Sequence, residues 1–222
     1  MKKVLILMFM VVSIAVKSQT NTDFIRHINA SQTVVNMFVE REFKARRIKF
    51  DVPVVSAFDK LNPIRTACGI EQNVNCSYCP ADNSINVSLD LYKDFFKRFG
   101  EFSLYAVMSH EYGHLIQKQF PSKVNDLGLS VLIELKSDCI SGVFFNFLNQ
   151  ARPLNLTQFN AAQVALFSLG DDVTSMSELL KSDSHGANIH RANAFDLGYK
   201  TGSIETCYSH YSEKIAYKFN DN

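Results

Sequence analysis

Between Thr22 and Arg47 the apolar side chains of Phe24, Val34, Val35, Phe38 and Phe43 recur at roughly helical intervals, which predicts an amphipathic helix. The next stretch, IKFDVPVVSAFD, is rich in β-branched residues and carries a proline, so it predicts an edge or irregular strand. Asn62 to Asn83 holds three Cys, two Pro and one Gly and reads as a stapled loop. SINVSLDL then alternates Ile85, Val87 and Leu89 with polar residues, the pattern of a half-buried strand. From Leu91 onward most segments have helical spacing, broken at Pro121, Pro153, Gly170 and Gly186. No repeat, low-complexity tract or linker separates a second unit. The predicted fold class is α+β and mainly helical, with a small sheet early and helices later.

The first residues stand apart. Lys2 and Lys3 precede an apolar run from Val4 to Val16 interrupted only by Ser13, and Val16-Lys17-Ser18 offers small residues for cleavage. This is the pattern of a signal peptide over residues 1–18, leaving 19–222 as one domain. The run is shorter than the roughly 20 residues a bilayer span requires. A secreted or periplasmic protein with no stable membrane span is expected, and an uncleaved N-terminal anchor is the alternative.

Composition adds limits rather than chemistry. Hydrophobic residues make up 46% and charged residues 20%, an ordinary globular balance. Losing the leader removes three of the 23 basic residues and none of the 22 acidic ones, leaving a net charge of −2. A nearly neutral chain gives no footing for nucleic-acid binding. Its one basic cluster, FKARRIKF from Phe43 to Phe50, reads as a solvated helix face. The five cysteines, in an oxidising compartment, lead to an expectation of disulfides with at least one thiol left over. Cys76-Ser77-Tyr78-Cys79 lacks both the second CxxC of a zinc knuckle and the strand-turn-helix setting of a redox centre.

The chemistry is carried by SHEYGHLIQK. Apolar Leu104, Val107, Met108, Leu115 and Ile116 predict a helix from Phe102 to Phe120, stopped by Pro121. On it His110 and His114 lie one turn apart on one face, a spacing that lets two imidazoles reach one tetrahedral ion at about 2.0–2.1 Å. Glu111 lies beside that face as the candidate general base, which is the H-E-x-x-H pattern of zinc hydrolases. The bland alternative is a coincidental pair of histidines.

A second helical stretch, Leu129 to Leu148, places Glu134 and Asp138 four apart on an otherwise apolar helix. Two carboxylates on a buried face are costly unless they are paired or bind a cation. Glu134 would complete a His₂Glu zinc set with the fourth position open, and Asp138 would accept the N–H of a ligating imidazole.

Several motifs in order resemble the bacterial neutral zinc metallopeptidase family: ACG at Ala67–Gly69, YCPAD at Tyr78–Asp82, HEYGHLIQ at His110–Gln117, ELKSDC at Glu134–Cys139, GDD at Gly170–Asp172 and HGANIHR at His185–Arg191. The resemblance runs from about Cys68 to the C-terminus; residues 19–66 carry no motif of it. It implies a zincin-like metallopeptidase fold with an HExxH active-site helix, one zinc per chain, and a peptide or protein substrate held along a strand edge. SINVSLDL is the candidate for that edge. The E-x-x-x-D form also resembles thermolysin-type enzymes, which supports Glu134 as ligand. The resemblance further implies disulfides Cys68–Cys79 and Cys139–Cys207, with Cys76 free.

His185 is a candidate donor to a developing oxyanion, or else a surface or helix-capping histidine. Arg191 is expected to pair with Asp171 or Asp172 as a structural salt bridge. Tyr112 reads as a packing residue, and His27, His190 and His210 as solvated or core histidines. The functional expectation is a secreted or periplasmic zinc metallopeptidase with His110, His114 and Glu134 as ligands and Glu111 as base. The alternatives are a zinc hydrolase of another amide or an ester, such as a peptidoglycan bond, and a non-catalytic zinc-stabilised binding module.

Overall fold

A computed structural model describes residues 20–120, 130–173, 175–179, 181 and 184–212. The expected leader, residues 1–18, and the proline expected to stop the motif helix, Pro121, lie outside the described residues.

Helix α1 spans Asn21–Ala45 and buries Phe24, Ile28, Ser31, Val35, Phe38, Val39 and Phe43, the i, i+3, i+4 pattern of one helix face. Its start is a capping box: Asp23 N donates to Thr20 Oγ1, and Thr20 N donates back to Asp23 Oδ2.

The two segments expected to be strands hold one strand each, while Asn62 to Asn83, expected to be a loop, holds three short strands. In chain order come β1 (Val54–Phe58), β2 (Ile64–Thr66), β3 (Gly69–Glu71), β4 (Cys76–Cys79) and β5 (Ser84–Ser88). One sheet has the order β1-β5-β4, with β5 parallel to β1 and antiparallel to β4; β2 and β3 form a separate antiparallel hairpin. Two expectations fail here. β5 is the central strand, so it offers no edge to a substrate. It is also buried on both faces rather than half-buried. Ile85 and Val87 enter the core, while Ser84 and Asn86 on the other face line a groove shared with Ile64 and Thr66 of β2. The hairpin is held near the sheet by the Cys68–Cys79 disulfide and by hydrogen bonds from Ser77 to Glu71 and from Ala67 N to Asp82.

The helices follow: α2 (Leu89–Phe99), α3 (Glu101–Gln119), α4 (Ser130–Ala151), α5 (Leu156–Ser168), α6 (Met176–Leu179), α7 (Asn188–Thr201) and α8 (Ile204–His210). The result is α+β and mainly helical, as the periodicity predicts. Helix α4 lies between α3 and α7, and α3 also meets α1 and α5. Small residues permit the close crossings. A Cβ on Gly113 of α3 would sit 2.6 Å from Ser137 Cα of α4, and one on Gly198 of α7 would sit 1.8 Å from Cys139 O. The core between these helices is filled with phenylalanine, including Phe38, Phe144, Phe145 and Phe195. A disulfide joins Cys139 of α4 to Cys207 of α8. Among the described residues no helix is long and apolar enough to cross a membrane.

Candidate metal centre

Helices α3 and α4 bring three of the sequence-predicted ligands together. His110 Nε2 lies 3.2 Å from His114 Nε2 and 3.2 Å from Glu134 Oε2, and His114 Nε2 lies 3.4 Å from Glu134 Oε1. One ligand atom from each residue falls within 4.8 Å of the others. The far side of each ring is also engaged: His110 Nδ1 lies 2.7 Å from Asp138 Oδ1, and His114 Nδ1 lies 3.0 Å from Ser137 Oγ.

This arrangement fits a zinc ion on its own chemistry. A carboxylate can only accept, so His110 donates to Asp138 through Nδ1–H and its neutral form turns the Nε2 lone pair toward Glu134 and His114. Two imidazole nitrogens and a carboxylate facing one point repel one another unless a proton or a cation sits between them. Two nitrogens and one oxygen are a donor set zinc accepts in open sites.

The electrostatics agree. Burial opposes protonation of His110, but Asp138 and Glu134 outweigh it and push its pKa up to about 10. Burial works against ionising Glu134 as well, yet hydrogen bonds from His110 and His114 hold it well below the usual carboxylate range. Glu111 behaves oppositely. It is buried next to the two histidines without being one of the three clustered donors, and desolvation raises its carboxyl despite their charge. A raised carboxyl in a cleft is suited to taking and returning a proton.

Arg191 does not pair with Asp171 or Asp172. Helix α7 carries it into the interior, where Nε and Nη2 bind the two oxygens of Asp138 at 2.8 and 2.9 Å and Nη1 donates to Leu169 O at 2.9 Å. A fully buried carboxylate needs a cation, and Asp138 finds its own here. Asp171 instead accepts from His185 N at 2.6 Å and from the Ser184 hydroxyl at 3.2 Å. His185 is exposed and lies in the segment before α7, outside any helix or strand, with Nδ1 3.4 Å from Asp171 Oδ1.

These groups share a cavity of about 710 Å³. His110, Glu111, His114 and Glu134 form one wall, β4 supplies Cys76, Ser77 and Tyr78, and His185 and Arg191 also line it. Among the described residues β4 is an edge strand, so the free edge beside the motif helix belongs to it and not to SINVSLDL. Cys76 is a free, half-buried thiol, while Cys79 is bonded to Cys68, so the CxxC pair forms no redox couple.

Tyr112 is buried and its hydroxyl donates to Asn36 Oδ1 at 2.6 Å. His27 and His190 are half-buried and His210 is exposed, all apart from the cluster. Sequence reasoning missed Ser137 and Gln117, whose side chain bonds to Ser137 Oγ. Both stand inside quoted motifs, and helical spacing places each three residues from one of the clustered donors, on its face.

Among curated proteins, the chain is 30% identical over 163 residues to the uncharacterized protein YpfJ of Escherichia coli strain K12, covering 64% of this chain and 57% of that one. It is 25% identical over 170 residues to the uncharacterized protein Rv2575 of Mycobacterium tuberculosis strain H37Rv, covering 65% and 58% respectively. The chain thus spans less than two thirds of the length of these relatives. No solved structure matches it. A family model described as "Putative neutral zinc metallopeptidase" matches residues 11–210, which takes in α1 and the sheet as well as the motif helices, and the chain belongs to that family.

Proposed function

We propose that the protein is a secreted or periplasmic zinc-dependent metallopeptidase with a zincin-like arrangement of its site. The observation that carries this reading is the convergence of His110, His114 and Glu134 beside a buried Glu111, at a cavity bordered by a free strand edge. His110 and His114 would hold the ion through Nε2 and Glu134 through its carboxylate. When bound, zinc supplies a Lewis acid that polarises water and the scissile carbonyl.

The chain's own groups account for the rest. Asp138 accepts the His110 Nδ1–H and fixes that ring, while Arg191 balances its charge. Glu111 takes a proton from the attacking water on its carboxylate and returns it to the leaving amine. His185, at the rim, donates to the oxygen on which negative charge develops. The β4 edge offers unpaired backbone groups to an extended peptide. That edge favours a peptide over an isolated ester or a glycan-linked amide, which the same groups could otherwise attack. Two disulfides agree with an oxidising compartment.

The test is hydrolysis of a peptide library by the wild type and by Glu111→Gln, with zinc content measured in both. The expected result is about one zinc per chain in each and cleavage by the wild type only. A Glu111→Gln protein as active as the wild type would sink the mechanism.

A further inference from the structure

The two histidines of the metal centre are supported unequally. His110 rests on a carboxylate that Arg191 neutralises, whereas His114 rests on a hydroxyl, Ser137 Oγ. That hydroxyl is itself anchored from α3. Gln117 Nε2 donates to Ser137 Oγ at 2.8 Å and to Ile133 O at 2.9 Å, so one side chain spans from α3 to two consecutive turns of α4.

The orientation of this amide is dictated. A backbone carbonyl only accepts, so the Gln117 nitrogen and not its oxygen must face Ile133. The same nitrogen then meets Ser137. The cost falls on the other end, because Gln117 Oε1 is buried with no hydrogen-bond partner among the described residues. A buried acceptor left unpaired is destabilising, so this orientation persists only because the two bonds on the nitrogen side offset it. Ser137 has little room to move, since α3 approaches its Cα at Gly113 too closely for any side chain there. Sequence spacing adds that Gln117 lies three residues beyond His114, on the same helix face.

We propose that Ser137 and Gln117 are positioning residues of the metal centre, which hold the His114 ring with Nε2 turned to the cation. The inference rests on the zinc reading of His110, His114 and Glu134. With Nε2 committed to a cation, His114 Nδ1 carries the hydrogen and donates it to Ser137 Oγ, whose place Gln117 fixes. A neutral support suits this ring: a second carboxylate behind it would add an uncompensated buried charge beside Glu111 and Glu134. The pair therefore orients His114 without altering the charge of the site.

The experiment compares full-length wild type with Ser137→Ala and Gln117→Leu. It measures zinc affinity by competition with a chromophoric chelator, the visible spectrum of the cobalt(II)-substituted protein, and thermal unfolding of the metal-free protein. Zinc affinity is expected to fall roughly 10- to 100-fold in both variants. The cobalt bands are expected to shift, with metal-free unfolding changed far less than the affinity. A merely structural role would lower metal-free stability and leave affinity and spectrum as in the wild type, and that result overturns the proposal. A wild type that binds no zinc removes both this inference and the reading beneath it; a wild type that binds zinc alongside variants of equal affinity removes only this one.

Discussion

Arg191 and Asp138 meet in the interior through two parallel bonds, Nε to Oδ2 at 2.8 Å and Nη2 to Oδ1 at 2.9 Å, with almost no exposure of either side chain. Asp138 also receives the Nδ1–H of His110, so one carboxylate serves a guanidinium and an imidazole of the candidate metal centre together. The guanidinium keeps Asp138 from placing a full negative charge behind the three clustered donors. Burial alone would lower the Arg191 pKa, but Asp138 outweighs it and holds the guanidinium charged.

Removing one partner of a buried ion pair leaves the other charge uncompensated. Arg191→Ala is therefore expected to destabilise the protein by about 3–5 kcal/mol. Asp138→Asn in the same chain should recover part of that loss, because the two changes act on one interaction. Chemical denaturation of the two single variants and the double variant checks this. Strict additivity of the single effects would show that the pair is not coupled.

The ionisation of His110 makes the metal-free protein pH-sensitive in a defined direction. Its folded pKa is raised from 6.5 to about 10, so the stability it contributes is fully present below 6.5 and is lost as pH climbs toward about 10. Glu134 is depressed from 4.5, so its contribution is present above 4.5 and is lost on acidification below that value. Metal-free protein should thus melt at progressively lower temperature from about pH 6.5 to 10, while zinc-loaded protein, whose cation replaces the proton, should not follow that decline. The same displacement predicts release of about one proton per zinc bound near pH 7, measurable by calorimetry in buffers of different ionisation enthalpy.

The helical half of the fold and three of the site's donors were legible because both are local. His110 and His114 are one turn apart on any helix, and Glu134 and Asp138 repeat the device on the next one. What escaped depends on contacts distant in the chain. The alternation in SINVSLDL correctly marks a strand, but β1 and β4 flank it on both sides, and nothing in the segment itself reveals either neighbour. Nothing in the sequence around Arg191 selects Asp138 over Asp171 or Asp172 as its partner. A buried Asp138 on an apolar helix was the better guide, since one imidazole cannot compensate a full charge. Ser137 carried no signal by type, being a residue common on any helix.

Cys76 offers a chemical probe of the cavity. Burial, reinforced by the negative charge of Glu111, pushes its thiol well above the usual range, so it should react slowly with iodoacetamide at neutral pH. Cys68, Cys79, Cys139 and Cys207 are held in disulfides, so peptide mapping should find the label at Cys76 alone. Bound zinc should survive the reaction, because Cys76 is not among the clustered donors. Hydrolysis should fall in step with labelling, because the adduct occupies the cavity. Full activity after complete labelling would place the substrate elsewhere.

The role of β4 can be tested one backbone group at a time. Ser88 N donates to Asn75 O at 3.0 Å, and the register of β4 against β5 continues from that pair. In an antiparallel ladder bonded and non-bonded pairs alternate, so Ser77 bonds to Asn86 while the N–H and C=O of Cys76 and Tyr78 face away from β5. Tyr78→Pro removes an N–H from the free side, where proline is tolerated, and Ser77→Pro removes one from the ladder, where it is not. Tyr78→Ala controls for loss of the ring and of its hydrogen bond to Asn83. If an extended peptide pairs with this edge, Tyr78→Pro should fold like Tyr78→Ala yet lose about 1 kcal/mol of substrate interaction, roughly a fivefold drop in kcat/KM. Ser77→Pro should instead lower thermal stability. Equal kcat/KM for Tyr78→Pro and Tyr78→Ala on a series of extended peptides would show that the substrate backbone takes no hydrogen bond from Tyr78.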